Sequence, residues 1–261
     1  MNTESNSPQN SSQTKSQSLV QHLIELRNCL LQILFLITLI FGGLFYFAND
    51  IYAFVSEPIR DQLPTGSTMI ATDITATFLA PFKLTFFVSV FAAIPYILYQ
   101  FWSFIAPGLY RSEKNLLAPL MVSSILLFYA GIAVAYYAVL PVIFKFLTMT
   151  APTDIQVMPD ISLYLNLSLK LFFAFGVAFE IPIATVLLIW SGMTTPDKLA
   201  AKRPYIIVGC FFVGMLLTPP DVISQLMLAI PMWLLFEMGI ICGRMIKAKQ
   251  QPSADDDQVD T

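Results

Sequence analysis

Glu180 is the only charged residue in the run 171–190, LFFAFGVAFEIPIATVLLIW, and it lies near the middle. A helix of that length rises about 30 Å, the thickness of a bilayer's hydrocarbon core. A carboxylate at its centre costs on the order of 3 kcal/mol on insertion scales, unless it faces protein or water or takes up a proton. The chemistry open to it is that of a hydrogen-bond acceptor or a proton relay at membrane depth. Two more carboxylates stand beside apolar runs: Glu25, in His22-Leu23-Ile24-Glu25-Leu26-Arg27, and Glu113, in Gly108-Leu109-Tyr110-Arg111-Ser112-Glu113-Lys114. On one face, each can hold a guanidinium by two parallel hydrogen bonds, the planar geometry that arginine offers and lysine does not. Other reactive chemistry is scarce. His22 is the single histidine, and Cys29, Cys210 and Cys242 lie far apart in apolar settings, so zinc, haem and Cys–His chemistry are not expected. No Walker-type phosphate loop occurs, and neither a cofactor nor an enzymatic activity is expected.

The elements that must position these groups are membrane helices. The chain is 56% hydrophobic and 12% charged, with a mean hydropathy of +0.70, whereas soluble domains are about 45–50% apolar and about 25% charged. Six spans are predicted, at about residues 30–47, 78–106, 116–142, 164–190, 205–217 and 222–242. The fifth is too short for a full crossing, so the turn after it, Thr218-Pro219-Pro220-Asp221, must lie below the surface or the bilayer must thin there. Residues 1–17 are polar and read as disordered, as does the tail 244–261, which is basic and then acidic. The polar stretch between the first two spans holds Pro58 and Pro64, which suggests a folded cap rather than a loose linker.

Lysine and arginine set the orientation. Lys15, Arg27, Arg111, Lys114, Lys198, Lys202, Arg203, Arg244, Lys247 and Lys249 fall on one side, against Arg60 and Lys145 on the other. Both termini are therefore expected in the cytoplasm. No basic patch points to nucleic acid.

Each motif has a plainer reading. Leu19, Leu23, Leu26 and Leu30 form one helical stripe, so the segment around Glu25 is either an interfacial anchor with a solvated carboxylate or part of a site. Thr218, Ser224 and Gln225 either satisfy a turn inside the membrane or bind a second helix by hydrogen bonds. Lys170, ten residues from Glu180, is no direct partner, and Lys83 snorkels outward.

Several stretches together carry a family resemblance: His22 to Arg27, Leu98-Tyr99-Gln100 through Glu113, Phe179-Glu180-Ile181-Pro182, Arg203-Pro204-Tyr205, Thr218-Pro219-Pro220-Asp221 with Ser224-Gln225, and Leu235-Phe236-Glu237. In this order, from about Leu19 to Gly243, the chain resembles the TatC family, the C subunits of the twin-arginine protein translocase. That resemblance implies an all-α, glove-like, concave bundle of six transmembrane helices in a bacterial cytoplasmic membrane. It further implies a receptor for twin-arginine signal peptides of folded cargo, driven by the protonmotive force. Glu25, Arg27, Phe104 and Glu113 match the family's docking positions. Glu180 falls in the concave face, and Met215, Thr218 and Gln225 in the region that contacts single-span TatA and TatB partners. Pro58 matches a sensitive external-loop position, and self-association in a multi-copy complex is implied as well. Where family members often carry further basic residues, Cys29 and Asn115 stand here. The rival reading is a proton- or ion-coupled small-solute carrier using Glu180, which would need other ionisable groups converging at membrane depth.

Overall fold

In lipid an apolar chain must satisfy its backbone groups within each segment, which leaves helices as the economical form for runs of this length. A computed structural model describes the backbone of residues 9–61, 68–105, 117–150, 158–217 and 222–250, with side chains over 24–61, 68–103, 119–150, 158–217 and 222–245. The helices are α1 (Gln9–Leu44), α2 (Ala48–Arg60), α3 (Ala76–Ile105), α4 (Leu117–Val134), α5 (Leu140–Thr150), α6 (Ile161–Ala178), α7 (Ile181–Trp190), α8 (Pro196–Ala201), α9 (Arg203–Leu217) and α10 (Val222–Gln250). A tight 3₁₀ turn, Phe45–Phe47, joins α1 to α2, and a π-helical stretch, Ala135–Val139, joins α4 to α5. Five segments among the described residues are long and apolar enough to cross a membrane, and α9 is a shorter apolar helix. At 15 residues it is about 22 Å long.

The boundaries differ from the expected ones in several places, among them α10, which runs on to Gln250 through the start of the tail read as disordered. Helix α1 extends to Gln9, beyond the expected start of order at residue 18. The third span, expected to end at residue 142, continues through a π turn to Thr150. The fourth span is broken at Glu180 rather than continuous. The polar stretch after the first span contains the helix α2.

The core is built from Leu84, Leu140, Ile143, Leu165, Leu171 and Phe175, all almost fully buried. The principal helix pairs are α7 with α10, α1 with α3, α9 with α10, and α4 with α6. Close approach of α4 to α6 depends on Gly131, where an added Cβ would stand 2.5 Å from the carbonyl oxygen of Phe175. Gly239 does the same for α10, its missing Cβ lying 2.9 Å from the Cα of Pro182.

Two tyrosines repair the damage that prolines do to helices. Proline has no N–H, so the carbonyl four residues earlier loses its partner. Pro58 orphans Phe54 in α2, and the Tyr136 hydroxyl donates to the Phe54 carbonyl at 2.7 Å. Pro95 orphans Phe91 in α3, and the Tyr129 hydroxyl donates to the Phe91 carbonyl at 3.0 Å. Tyr164 adds a bond to the Val55 carbonyl at 2.6 Å, so α2 is pinned to the bundle from two helices. Pro58 is itself buried, in keeping with a folded cap.

Asp160 fastens the rest of that side. One oxygen caps α6 through the N–H groups of Ser162 and Leu163, at 2.8 and 3.0 Å. The other accepts from the Thr72 hydroxyl at 2.6 Å and the Thr72 N–H at 2.9 Å. A single parallel bridge pairs Ile70 with Asp160 beside it. The Thr72 hydroxyl, with the surrounding N–H donors, holds the Asp160 carboxyl down to about 2.

Candidate functional site

Glu180 occupies the break between α6 and α7, and local sequence explains the break. Pro182 cannot donate to the Ala178 carbonyl, so the chain tightens. The Glu180 N–H bonds the Val177 carbonyl three residues back, at 3.1 Å. Its own carbonyl then accepts from Ala184 N–H at 2.9 Å to start α7. The half-buried side chain turns into the protein. One carboxylate oxygen accepts from the hydroxyl of Ser124 in α4, and that hydroxyl accepts from the Trp102 indole of α3 at 3.2 Å. The other oxygen is shielded from solvent and has no hydrogen-bond partner among the described residues.

Direction in this chain is fixed by chemistry. An indole only donates, a hydroxyl does both, and an ionised carboxylate only accepts. Three helices therefore converge on one acceptor, and neither Ser124 nor Trp102 titrates near neutral pH. Sequence reasoning placed Glu180 away from lipid but missed both partners. The Trp102 ring is buried. The weak signal available was Ser124, a polar residue within an apolar span.

Glu25 and Arg27 lie on α1 with exposed side chains. The Arg27 guanidinium donates to the Asn28 side chain at 3.2 and 3.4 Å. Phe104 lies in α3, but its side chain is outside the described residues, as are Glu113 and Asn115. What the described residues do place is the lock between the two helices. Gln32 of α1 accepts from Gln100 at 3.0 Å and from Tyr96 at 3.1 Å, and Gln100 also donates to Tyr96 at 2.7 Å. Glu25 is about two turns from Gln32, and Phe104 one turn from Gln100, on the same end of the antiparallel pair. Gln32 carried no sequence signal.

At the short hairpin, Gln225 of α10 donates its amide to the Phe211 carbonyl of α9 at 2.8 Å. That bond ties α10 to the interior of α9. Met215 is exposed, while Thr218 and Asp221 fall outside the described residues. At the other end of α9, Arg203 forks onto Glu237 of α10 at 2.6 and 2.7 Å, two residues whose motifs were recognisable but whose pairing was not.

The family model for the Sec-independent protein translocase protein TatC matches residues 21–231. A TatC from Azotobacter chroococcum mcd 1 is 57% identical over 235 residues, covering 90% of this chain and 92% of that protein. The TatC of Escherichia coli K12 is 57% identical over 228 residues, covering 87% and 88%. A crystal structure described as the Twin Arginine Translocase Receptor TatC superposes with a TM-score of 0.78 at 38% identity, covering 87% of this chain and 99% of that one. The chain belongs to the TatC family of Sec-independent protein translocase proteins, as a multi-pass, all-helical membrane member.

Proposed function

We propose that this chain is the receptor subunit of a twin-arginine translocase. Glu25 and Glu113 each take one guanidinium of a signal peptide, with Arg27 and Phe104 beside them, on a cytoplasmic surface that carries both termini. Single-span partners of the TatA and TatB kind pack near Met215, Thr218 and Gln225, beside the external turn at Asp221, and the complex holds several copies in a bacterial cytoplasmic membrane. Folded cargo crosses at the expense of the protonmotive force. The observation that carries this reading is the Gln32–Gln100–Tyr96 lock, which holds the helix bearing exposed Glu25 and Arg27 against the helix that ends beside Phe104. The lysine and arginine bias toward the same side supports the orientation.

The test is site-specific cross-linking of a twin-arginine signal peptide to positions around Glu113, against a paired-lysine control, in the intact chain and in Glu25→Gln and Glu113→Gln. The arginine peptide should cross-link and the lysine peptide should not, with each substitution lowering capture. Loss should be smaller at high salt, where screening already weakens the ion pairs. Equal capture of both peptides, or unchanged capture in both variants, refutes the docking role.

A further inference from the structure

Two lysines in the spans take no part in the site above. Lys83 lies seven residues into α3 and Lys170 nine into α6, about 10 and 14 Å from the helix starts on the α2 side. Both are exposed. Side chains on a helix lean toward its N-terminus, and both helices begin on that side, so the long lysine stems bring their ammonium groups up toward the headgroup zone.

The two are joined by Asn166. It stands one turn from Lys170 on the same face of α6, and the Lys83 ammonium donates to its amide oxygen. That bond uses the one acceptor in the group. Beyond the second lone pair of that oxygen, what remains to the three side chains is donors: the Asn166 amide hydrogens and the ammonium hydrogens of both lysines. Lys170 forms no ion pair with a described residue. The acidic groups at the starts of these two helices are already engaged, Asp160 by Thr72 and the α6 cap and Asp73 by Thr75. A cluster of donors with two positive charges calls for an acceptor-rich anion. Deeper on the same face of α6 are Phe173 and Val177, both about half exposed, which offer an apolar track that a free anion would not use.

We propose that Lys83, Asn166 and Lys170 bind the phosphate of an anionic phospholipid in the leaflet on the α2 side, with an acyl chain along Phe173 and Val177. A net negative headgroup such as phosphatidylglycerol is preferred over a zwitterionic one, whose own ammonium meets the two lysines.

The full chain, purified in phosphatidylcholine nanodiscs with phosphatidylglycerol as the minor lipid, is released for native mass spectrometry. The retained lipids are then counted. Phosphatidylglycerol should be enriched over its share of the bilayer. Lys170→Gln should lower that enrichment about fivefold, since each lysine near a lipid surface is worth about 1 kcal/mol, and Lys83→Gln with Lys170→Gln should abolish it. Lys170→Arg should retain it, and Lys145→Gln, an exposed lysine of α5 on the same side, should not change it. Helicity and melting of each variant are checked to separate misfolding from lost binding. Unchanged enrichment in the double variant, or an equal loss in Lys145→Gln, overturns the proposal. Displacement of the lipid by inorganic phosphate would assign the site to a free anion and also overturn it. No enrichment in the unaltered chain would do the same, leaving the lysines for a carboxylate on a partner helix.

Discussion

If Tyr136 replaces the donor that Pro58 removes, the two residues must be energetically coupled, and the size of the coupling can be worked out. Tyr136→Phe deletes only the hydroxyl. The ring stays, stacked on Phe54 with centroids 5.0 Å apart and planes 11° from parallel, so little packing is lost. What is lost is the 2.7 Å bond to the Phe54 carbonyl, which then has no donor at position 58. Leaving a fully buried carbonyl unpaired costs about 1–3 kcal/mol, whereas this bond is partly buried and hydrogen bonds measured inside membrane proteins average about 0.6 and reach about 1.7 kcal/mol. Between these, about 1–1.5 kcal/mol is expected for Tyr136→Phe.

Pro58→Ala restores an N–H four residues after Phe54. In that background the tyrosine hydroxyl becomes redundant, and Tyr136→Phe should cost no more than about 0.5 kcal/mol, a coupling near 1 kcal/mol or roughly fivefold in the unfolding constant. The assay is reversible unfolding in mixed micelles, followed by helicity across increasing dodecyl sulfate, for the four members of the cycle. Any loss of packing from removing the proline ring cancels in the cycle. Additive effects within about 0.3 kcal/mol would refute the replacement of one donor by the other. Tyr129 with Pro95 provides a second, independent cycle of the same design.

Three further outcomes follow from the geometry. Asp160 has its folded value held to about 2 against an ordinary 3.8; its contribution to stability is therefore complete above about pH 4 and is lost as pH falls toward 2. Melting in detergent should fall over that window, and Asp160→Asn should flatten the fall. Gly131→Ala forces a Cβ to 2.5 Å from a backbone oxygen and should cost about 1–3 kcal/mol, whereas Gly209→Ala, with nothing within 4 Å, should be neutral or slightly stabilising in the same melt. Glu180→Gln keeps an oxygen for the Ser124 hydroxyl and should preserve both melting and export of a twin-arginine reporter, whereas Ser124→Ala should lower melting; loss of export in Glu180→Gln with an unchanged melt would show that the charge or its titration is required.

Elements whose cause is local were legible in the sequence. Six apolar runs, the shortness of α9 and the folded character of the stretch around Pro58 follow from composition, length and proline chemistry, and α9 is 15 residues against the 13 expected. The break at Glu180 has an equally local cause in Pro182, yet apolar continuity through 171–190 masked it, because hydropathy does not register a missing N–H. The continuation of the third span beyond residue 142 to Thr150 was not legible. Leu140 bonds five residues back to Ala135, so the ladder slips by one residue and resumes.

Partners across sequence were not legible at all. Ser124 with Glu180, Gln32 with Gln100, and Arg203 with Glu237 are separated by 56, 68 and 34 positions, and periodicity carries no information at that range. Recognisable motifs marked some of these residues as worth attention without saying what they touch. The geometry adds a connection that neither motif nor hydropathy implied. Trp102, which donates to Ser124 and so supports Glu180, stands only two residues before Phe104 on the same helix. In the proposed receptor, a peptide docking at Phe104 and Glu113 therefore presses on the end of α3 whose indole is fixed to the α6–α7 break. Glu180 is then better understood as the far anchor of the docking helix than as an isolated carboxylate in lipid. Trp102→Phe removes the N–H donor together with part of a buried ring, whereas Ser124→Ala removes its acceptor and leaves the indole whole; both should accordingly weaken that anchor and alter peptide cross-linking, although both side chains are buried.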